Sequence, residues 1–345
     1  MPESPMRYPL FALAVCATAA ASAAPAPPVS YQISRSVALG APDGWDYLFF
    51  EPQTHRVYVA HGTEITVVDG RSGAVVGRVT GIGGVNGVVA LPQLHKGYTD
   101  SRAHKAAVVF DLRSFKVTAE IPADTDTDAV IYEPRTRRVL VMNGDGADTT
   151  LIDTAHDAAV SNVALQGQPE FAAADGDGHV FVNITDKREI VKLDARSARV
   201  EARWPIPSCE RPHGLAIDRA THRLFSSCVN SLLLVVSADD GRVIASLPIG
   251  KGTDAAAFDP KRHLVFSSNA EGTLSVIRQQ GPDDYVALSA IPTRPLARTM
   301  ALDPDSGRIY LVTADVDELD PKAERLRERY RIRAGTVQLL FLDPQ

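Results

Sequence analysis

The chain lacks an excess of positive charge, a membrane-length apolar run and the familiar catalytic motifs, and each absence excludes a class of function. The formal net charge is −6 at pH 7, whereas nucleic-acid binding usually needs a basic face, so we expect no nucleic-acid partner. No stretch reaches the roughly 20 apolar residues of a membrane helix. There is no serine in a nucleophile elbow and no His-Glu-x-x-His helix. These absences favour a soluble binding protein over an enzyme, without deciding the question.

The first residues predict export. Leu10–Ala20 is an apolar run too short to span a bilayer, and it ends at Ala21–Ala23, a small-x-small site of the kind that signal peptidase cleaves. We therefore assign residues 1–23 to a cleaved signal peptide and residues 24–345 to a periplasmic or secreted mature protein. Leu13–Cys16 faintly resembles a lipoprotein cleavage box. A lipid-anchored form is thus the alternative to soluble export.

Cleavage would leave two of the three cysteines, Cys209 and Cys228. In an oxidising compartment an even pair predicts a disulfide bond. Cysteine together with histidine also binds zinc or copper, and His213 lies between the two cysteines in the chain. Metal or redox handling through Cys209, His213 and Cys228 is therefore a competing interpretation.

The most informative pattern is an internal repeat. Each unit begins with a polar residue and a short apolar strand, passes through an Asp/Glu-Pro turn or its equivalent, and enters a second apolar strand. Asp46–Pro52 and Arg56–Ala60 show this order in the first unit. Further units follow at intervals of 40 to 44 residues, and they open at Asn86, Asp128, Glu170, His213, Asp254 and Arg298.

Four short strands per unit at this period, with no helical stretch between them, predict the blades of a β-propeller. The seventh unit supplies only three strands, of which Val337–Phe341 is the last. Tyr31–Leu39 is a strand without a unit of its own, and adding it to the last blade pairs two exposed strand edges. We therefore predict an all-β fold, a single seven-bladed β-propeller domain of four-stranded antiparallel blades closed by the N-terminal strand.

Tyr58–Ala60 and the repeated Asp-Pro-x-x-x-Arg/His turns resemble the YVTN-repeat, YncE-like family of exported β-propeller proteins. The resemblance covers nearly the whole mature chain and is best preserved from Cys209 to Gly250. It implies the propeller fold and export. It says little about chemistry, because members of this family differ widely in what they bind.

One polar residue opens each blade, and the repeat register places these seven residues around one mouth of the central channel. We name this set the channel-mouth ring; it consists of Asp46, Asn86, Asp128, Glu170, His213, Asp254 and Arg298. His61 and Asn143, at the ends of second strands, belong to the same face. Converging carboxylates repel one another unless a cation, a proton or Arg298 compensates them. The ring therefore predicts a binding site for a small molecule or a protein partner, although strand starts near water can also be polar without any function.

A metal-dependent activity is the second candidate function. Hard cations, calcium above all, prefer several oxygen ligands, and the ring offers Asp46, Asp128, Glu170 and Asp254, with His213 as a softer ligand or a general base. Other propellers hold calcium in the channel, so a calcium-type hydrolase or lactonase is the alternative to pure binding. This analogy rests on architecture, and fold does not imply function. In either case we expect a monomer.

The last blade contains an insertion, Asp315–Ala334. Pro321 and the charged residues after it, spaced at i and i+4, predict a short helix over the channel mouth. Such a helix would be either a partial lid or surface decoration.

Overall fold

The computed structural model describes Met1, residues 29–323 and residues 325–345. These residues form the predicted seven-bladed β-propeller, a ring of seven antiparallel sheets. Apart from Met1, the predicted signal peptide lies outside the described residues. In the described part of the chain, no helix has the length and apolar character needed to cross a membrane.

The first three blades follow one another along the chain, each with its strands in sequence order from the channel outward. Blade 1 contains β2 (Leu48–Glu51), β3 (Arg56–His61), β4 (Glu64–Asp69) and β5 (Val75–Val79). Blade 2 contains β6 (Val88–Leu91), β7 (Lys96–Ser101), β8 (Ala106–Asp111) and β9 (Val117–Pro122), with a 3₁₀ turn at Pro92–Leu94. Blade 3 contains β10 (Thr127–Glu133), β11 (Arg138–Asn143), β12 (Asp148–Asp153) and β13 (Ala158–Ala164).

The next three blades repeat this order. Blade 4 contains β14 (Pro169–Ala174), β15 (His179–Ile184), β16 (Glu189–Asp194) and β17 (Arg199–Pro205). Blade 5 contains β18 (Pro212–Asp218), β19 (Arg223–Cys228), β20 (Leu232–Ser237) and β21 (Val243–Pro248). Blade 6 contains β22 (Thr253–Asp259), β23 (Leu264–Asn269) and β24 (Thr273–Gly281), and its outer strand is split into β25 (Asp284–Ala287) and β26 (Ile291–Pro292).

Blade 7 joins the two ends of the chain. It contains β27 (Met300–Leu302), β28 (Ile309–Thr313), β31 (Gln338–Pro344) and, as its outer strand, β1 (Tyr31–Ala38). The pairing of β1 with β31 is antiparallel and runs from Tyr31 opposite Pro344 to Ala38 opposite Gln338. The predicted closure by the N-terminal strand is therefore confirmed, and it covers an edge that would otherwise expose unpaired backbone groups.

The acidic residues of the repeat shape the turns on the face opposite the ring. The Glu51 carboxylate accepts hydrogen bonds from the backbone N–H groups of Gln53 and Thr54 at 2.8 and 2.7 Å. Glu133 and Asp259 accept the same pair of bonds in blades 3 and 6. Acidic side chains favour such turns because they satisfy backbone donors that the strands leave free. The repeated Asp/Glu-Pro pattern is thus explained by turn formation, and the candidate site residues lie on the opposite face.

The core consists of apolar clusters where neighbouring blades meet face to face. Between blades 7 and 1, the Phe50 and Tyr310 rings stack with centroids 5.5 Å apart, and the Tyr310 and Phe341 rings form a T-shaped pair with centroids 5.1 Å apart. Tyr31 of β1 packs against Phe266 of blade 6 with centroids 5.6 Å apart. The N-terminal strand therefore contributes apolar packing as well as backbone pairing.

The insertion of blade 7 is a hairpin that carries the predicted short helix, which begins at Leu326 and not at Pro321. Its strands are β29 (Val316–Glu318) and β30 (Tyr330–Ile332), and the helix α1 covers only Leu326–Arg329. Val316 pairs with Ile332 and Glu318 with Tyr330, so cross-strand pairing outweighs the local charge pattern. A backbone bond from Arg333 to Asp315 (2.9 Å) closes the base of the hairpin.

Candidate functional site

β-Bulges free four ring residues from the strand ladders. The pairing of β10 with β11 jumps from Thr127 to Val130, which leaves Asp128 unpaired. The same irregularity surrounds Glu170, His213 and Asp254 at the starts of their strands. A bulge re-aims the side chain of the extra residue. The repeat therefore places a polar residue at a point where the backbone lets it turn toward the channel.

Direct contacts join four ring residues from blades 4 to 7. His213 Nδ1 lies 3.4 Å from Glu170 Oε1 and 3.1 Å from Asp254 Oδ1. Arg298 Nε lies 3.1 Å from the other oxygen of Asp254. Each side chain comes from a different blade, so the contacts exist only because consecutive blades pack side by side. The result is a chain of alternating charges across one half of the mouth.

This alternation determines the charge of His213. Burial lowers the pKa of His213, but the hydrogen bonds to Asp254 and Glu170 outweigh it and raise the pKa to about 10. Burial also opposes ionisation of Asp254, yet the charges of Arg298 and His213 hold the pKa of Asp254 below its usual value. At neutral pH this half of the mouth therefore holds the His213 imidazolium, the Arg298 guanidinium and the Asp254 carboxylate.

The other half of the mouth is acidic. Burial, then repulsion from Asp254, raises the pKa of Asp46 well above its usual range. Burial and repulsion from Glu170 do the same to the pKa of Asp128. Neither carboxyl group has a hydrogen bond or an ion pair with a described residue. The neighbouring Asp100, which the repeat register did not single out, is fully buried, and burial raises its pKa to about 7.

Tyr47 spans the channel and was missed by the sequence reasoning. In four other blades the residue that follows the ring position is small, namely Gly87, Ala129, Gly214 or Ala255. At Gly214 a Cβ would lie 2.4 Å from the backbone nitrogen of Ala256, so no side chain fits there. Blade 1 has Tyr47 instead, whose hydroxyl donates to Glu170 Oε1 of blade 4 at 2.8 Å and whose ring packs on Phe171. A tyrosine at a position that is small in four other blades was a sequence signal by which Tyr47 could have been identified.

Three further predicted site residues have partners within the protein. Asn86 is buried and donates from Nδ2 to the backbone oxygen of Thr127 at 3.0 Å, which links blade 2 to blade 3. His61 is fully buried with Nδ1 2.9 Å from Thr66 Oγ1, and burial lowers its pKa. Asn143 is also fully buried and donates to Asp148 and Thr150. The structure does not bring His61 and Asn143 into the cluster of contacts at the mouth.

The predicted disulfide bond between Cys209 and Cys228 is present, with the α-carbons 5.2 Å apart. It ties the loop that enters blade 5 to the end of β19, beside the pair formed by Pro212 and Cys228. Both cysteines are fully buried. In the disulfide state neither thiol is available to a metal, so this state offers no three-ligand site with His213.

A second group of candidate metal ligands can be tested by geometry. One donor atom from each of Glu170, His213 and Asp254 lies within 4.8 Å of the others. Asp46 and Asp128, the other two predicted ligands, are not part of that group. The His213 imidazole must lose its proton before it can bind a metal. With a pKa raised to about 10 it keeps that proton at neutral pH, so a metal would have to displace it.

The insertion and the mouth together enclose a cavity of about 450 Å³, which we name the insertion pocket. Its charged side is formed by His213, Asp254 and Arg298, and its apolar side by Trp45, Leu296, Leu326, Tyr330 and Ile332. The insertion is held in place by hydrogen bonds from the Gly335 N–H to Asp43 and from Gln338 to Asp315. Sequence reasoning found the charged side and missed the apolar one, because three of these apolar residues belong to the hairpin.

A separate cavity of about 450 Å³ lies on the inner strands of blades 1 to 4 and is lined by Tyr47, among other residues. Apolar residues of β6, β10 and β14, such as Val89, Val130 and Ala172, line its walls. It contains none of the ring residues. The predicted site residues therefore lie outside this cavity.

Comparisons with solved structures agree on the fold. A chain of Kuenenia stuttgartiensis hydrazine synthase superposes with a TM-score of 0.69, covering 78% of this chain and 92% of that chain at 14% identity. A chain of a mitotic checkpoint complex superposes with a TM-score of 0.73, covering 97% of this chain and 98% of that chain at 13% identity. No family model and no curated protein sequence matches. The class of protein is thus a seven-bladed β-propeller, and membership of the YVTN-repeat family stays a prediction.

Proposed function

We propose that this protein is an exported β-propeller that binds a small molecule in the insertion pocket at the channel mouth. The observation that carries the proposal is the pocket itself, about 450 Å³ with a charged side from the ring and an apolar side from the insertion. Small-molecule sites typically have this size and combine apolar walls with a few converging polar groups. Export is supported by the small-x-small site at Ala21–Ala23 and by the disulfide bond of Cys209 with Cys228.

The protonation states support binding over catalysis. A general base must be unprotonated at working pH, whereas the hydrogen bonds to Asp254 and Glu170 raise the pKa of His213 to about 10. His213 and Arg298 are ion-paired with these carboxylates and are held in fixed positions. Such a network suits recognition of a ligand, because neither His213 nor Arg298 offers an unprotonated nitrogen base to the pocket.

A neutral fluorescent probe tests the proposal. N-phenyl-1-naphthylamine has an apolar body that fits the pocket, and its emission increases in an apolar environment. Tyr330→Ala removes one wall of the pocket, and we expect the Kd of the probe to rise about ten-fold, equivalent to about 1.4 kcal/mol. Leu319→Ala is the matched control, since Leu319 is a residue of the same insertion that is 55% exposed and does not line the pocket.

Fluorescence titration of the wild type and both variants gives the answer. Tight binding to the wild type and the control, with weaker binding to Tyr330→Ala, supports the proposal. Absence of binding to the wild type, or equal affinity for all three proteins, contradicts it. Circular dichroism spectra must match across the set, because Tyr330 lies outside the blades.

A further inference from the structure

A basic groove lies beside the insertion pocket. It is a cavity of about 940 Å³ between the insertion and the loops of blades 5 and 6. Its cationic lining residues are Arg211, Lys251, Lys322, Arg325 and Arg329. Among the described residues that line it, Glu271 alone is acidic. The groove is a local concentration of positive charge on a chain whose formal net charge is −6.

Much of this charge is not neutralised within the protein. Arg329 pairs with Glu318 at 2.7 Å, and Arg325 lies 3.5 Å from Glu328. By contrast, Arg211, Lys251 and Lys322 form no ion pair with any residue that the structure describes. Unpaired cations that converge on one concave surface raise the local concentration of anions.

The groove and the pocket are adjacent. Both are lined by Gly252 and Leu326, which form the boundary between them. Gly252 has a φ of +72°, and a Cβ there would lie 2.8 Å from Cδ1 of Leu326, so the leucine packs directly on the glycine backbone. A molecule that occupies the pocket and extends past Leu326 would enter the basic groove.

The charged side of the insertion pocket also has an excess of positive charge. Its charged lining residues are His213, Arg298 and Asp254, which gives two cations to one carboxylate because the pKa of His213 is raised to about 10. The side chain of Arg298 is 44% exposed, and its ion pair uses Nε. The terminal guanidinium nitrogens therefore remain able to bind a carboxylate, phosphate or sulfonate. Asp46 and Asp128, at the acidic half of the mouth, do not line the pocket.

We propose that the ligand of the insertion pocket is an organic anion with an apolar body. The apolar body lies against Trp45, Leu296 and Tyr330, and the acidic group lies among the cations of the basic groove or at Arg298. This inference rests on the proposed function, because it specifies the ligand class of the same pocket. The cations of the basic groove and Arg298 thereby orient the ligand.

Two probes with the same apolar body separate the two proposals. 1-Anilinonaphthalene-8-sulfonate carries a sulfonate that N-phenyl-1-naphthylamine lacks. The double variant Lys251→Gln/Lys322→Gln neutralises two unpaired cations of the groove, and we expect it to raise the Kd of the sulfonate probe about five-fold at low salt. The Kd of the neutral probe should not change. Lys105→Gln/Lys116→Gln is the control, since both lysines are exposed, lie outside the groove and give the same change in net charge.

The outcomes are distinct. Tighter binding of the sulfonate probe than of the neutral probe, reduced by the groove variant and by salt but not by the control, supports an anionic ligand. If both probes bind the wild type and the two double lysine variants with equal affinity, and Tyr330→Ala still weakens their binding, the anionic ligand class is overturned while the pocket proposal stands. Failure of both probes to depend on Tyr330 overturns the proposed function itself.

Discussion

Single buried residues control the electrostatics of the channel mouth. Asp100 is fully buried and accepts hydrogen bonds at 2.8 Å from the backbone N–H groups of both Asn86 and Gly87. Burial still raises its pKa to about 7, because those bonds do not replace the lost hydration. Tyr47 fixes Glu170 from the other side of the channel. The mouth thus depends on residues that lie behind the ring as well as on the ring.

The raised pKa of Asp100 makes the stability of the protein depend on pH. Its folded pKa of about 7 exceeds its ordinary value of 3.8, so its contribution is fully stabilising below about pH 4 and is lost as pH rises through 7. Between these values the free energy of unfolding should fall by at most about 1.4 kcal/mol per pH unit from this group. Asp100→Asn should remove that slope. Urea denaturation at pH 4.5, 5.5, 6.5 and 7.5 measures it.

The exposed Asp145 supplies the control for this measurement. Asp145→Asn should keep the pH profile of the wild type. A profile of Asp100→Asn that runs parallel to the wild type would show that Asp100 ionises normally in the folded protein.

At the level of elements, the N-terminal strand and the insertion hairpin contribute differently to the stability of the fold. Strand β1 pairs with β31 along its whole length and buries Tyr31 against blade 6. The insertion hairpin is outside all seven described blades, although it leaves and rejoins blade 7 between β28 and β31. Its base is narrow, since the Arg333 N–H donates to the Asp315 oxygen at 2.9 Å. The strand is therefore part of the fold, whereas the hairpin is an addition to it.

Two deletions test this difference. Removing Tyr31–Leu39 should destabilise the protein strongly, because it exposes the edge of β31 and part of the packing between blades 6 and 7. Replacing Val316–Ile332 by a short Gly-Ser linker should leave the melting temperature within a few degrees of the full chain. Thermal unfolding followed by circular dichroism compares them. Equal melting of the first deletion and the full chain would refute closure by the N-terminal strand.

At the level of the whole molecule, the charge distribution and the disulfide bond agree with the proposed ligand class and the proposed export. The formal net charge of the chain is −6, yet five cationic residues line the basic groove beside the insertion pocket. The disulfide bond of Cys209 with Cys228 closes a loop whose ends are 19 residues apart. Such a loop stabilises the fold by roughly 3 kcal/mol in the chain-entropy model. A bond of this kind persists in an oxidising compartment, in line with the export that we propose.

Export makes a measurable prediction for the purified protein. Expressed in a bacterial host with its own leader, it should accumulate in the periplasm and begin at Ala24. Under denaturing conditions without reductant it should show no reactive thiol, and two thiols should appear after reduction. N-terminal sequencing and thiol labelling measure both. A cytoplasmic chain of full length with free thiols would contradict export, and one that retains Cys16 as its first residue would indicate the lipoprotein form.

The sequence by itself determined the blade count and the closure by β1, because a period of 40 to 44 residues is a property of the chain alone. The cysteines predicted a disulfide bond but also allowed a metal site with His213, and the structure decided for the bond. The sequence also identified Glu170, His213, Asp254 and Arg298, which meet in space because their places in the repeat are equivalent. Tertiary structure decided the rest. Tyr47 reaches a residue 123 positions away, and the insertion pocket forms only where the hairpin folds over the mouth. These contacts depend on ring closure and on the pairing of β29 with β30, and no local pattern encodes the distances between blades.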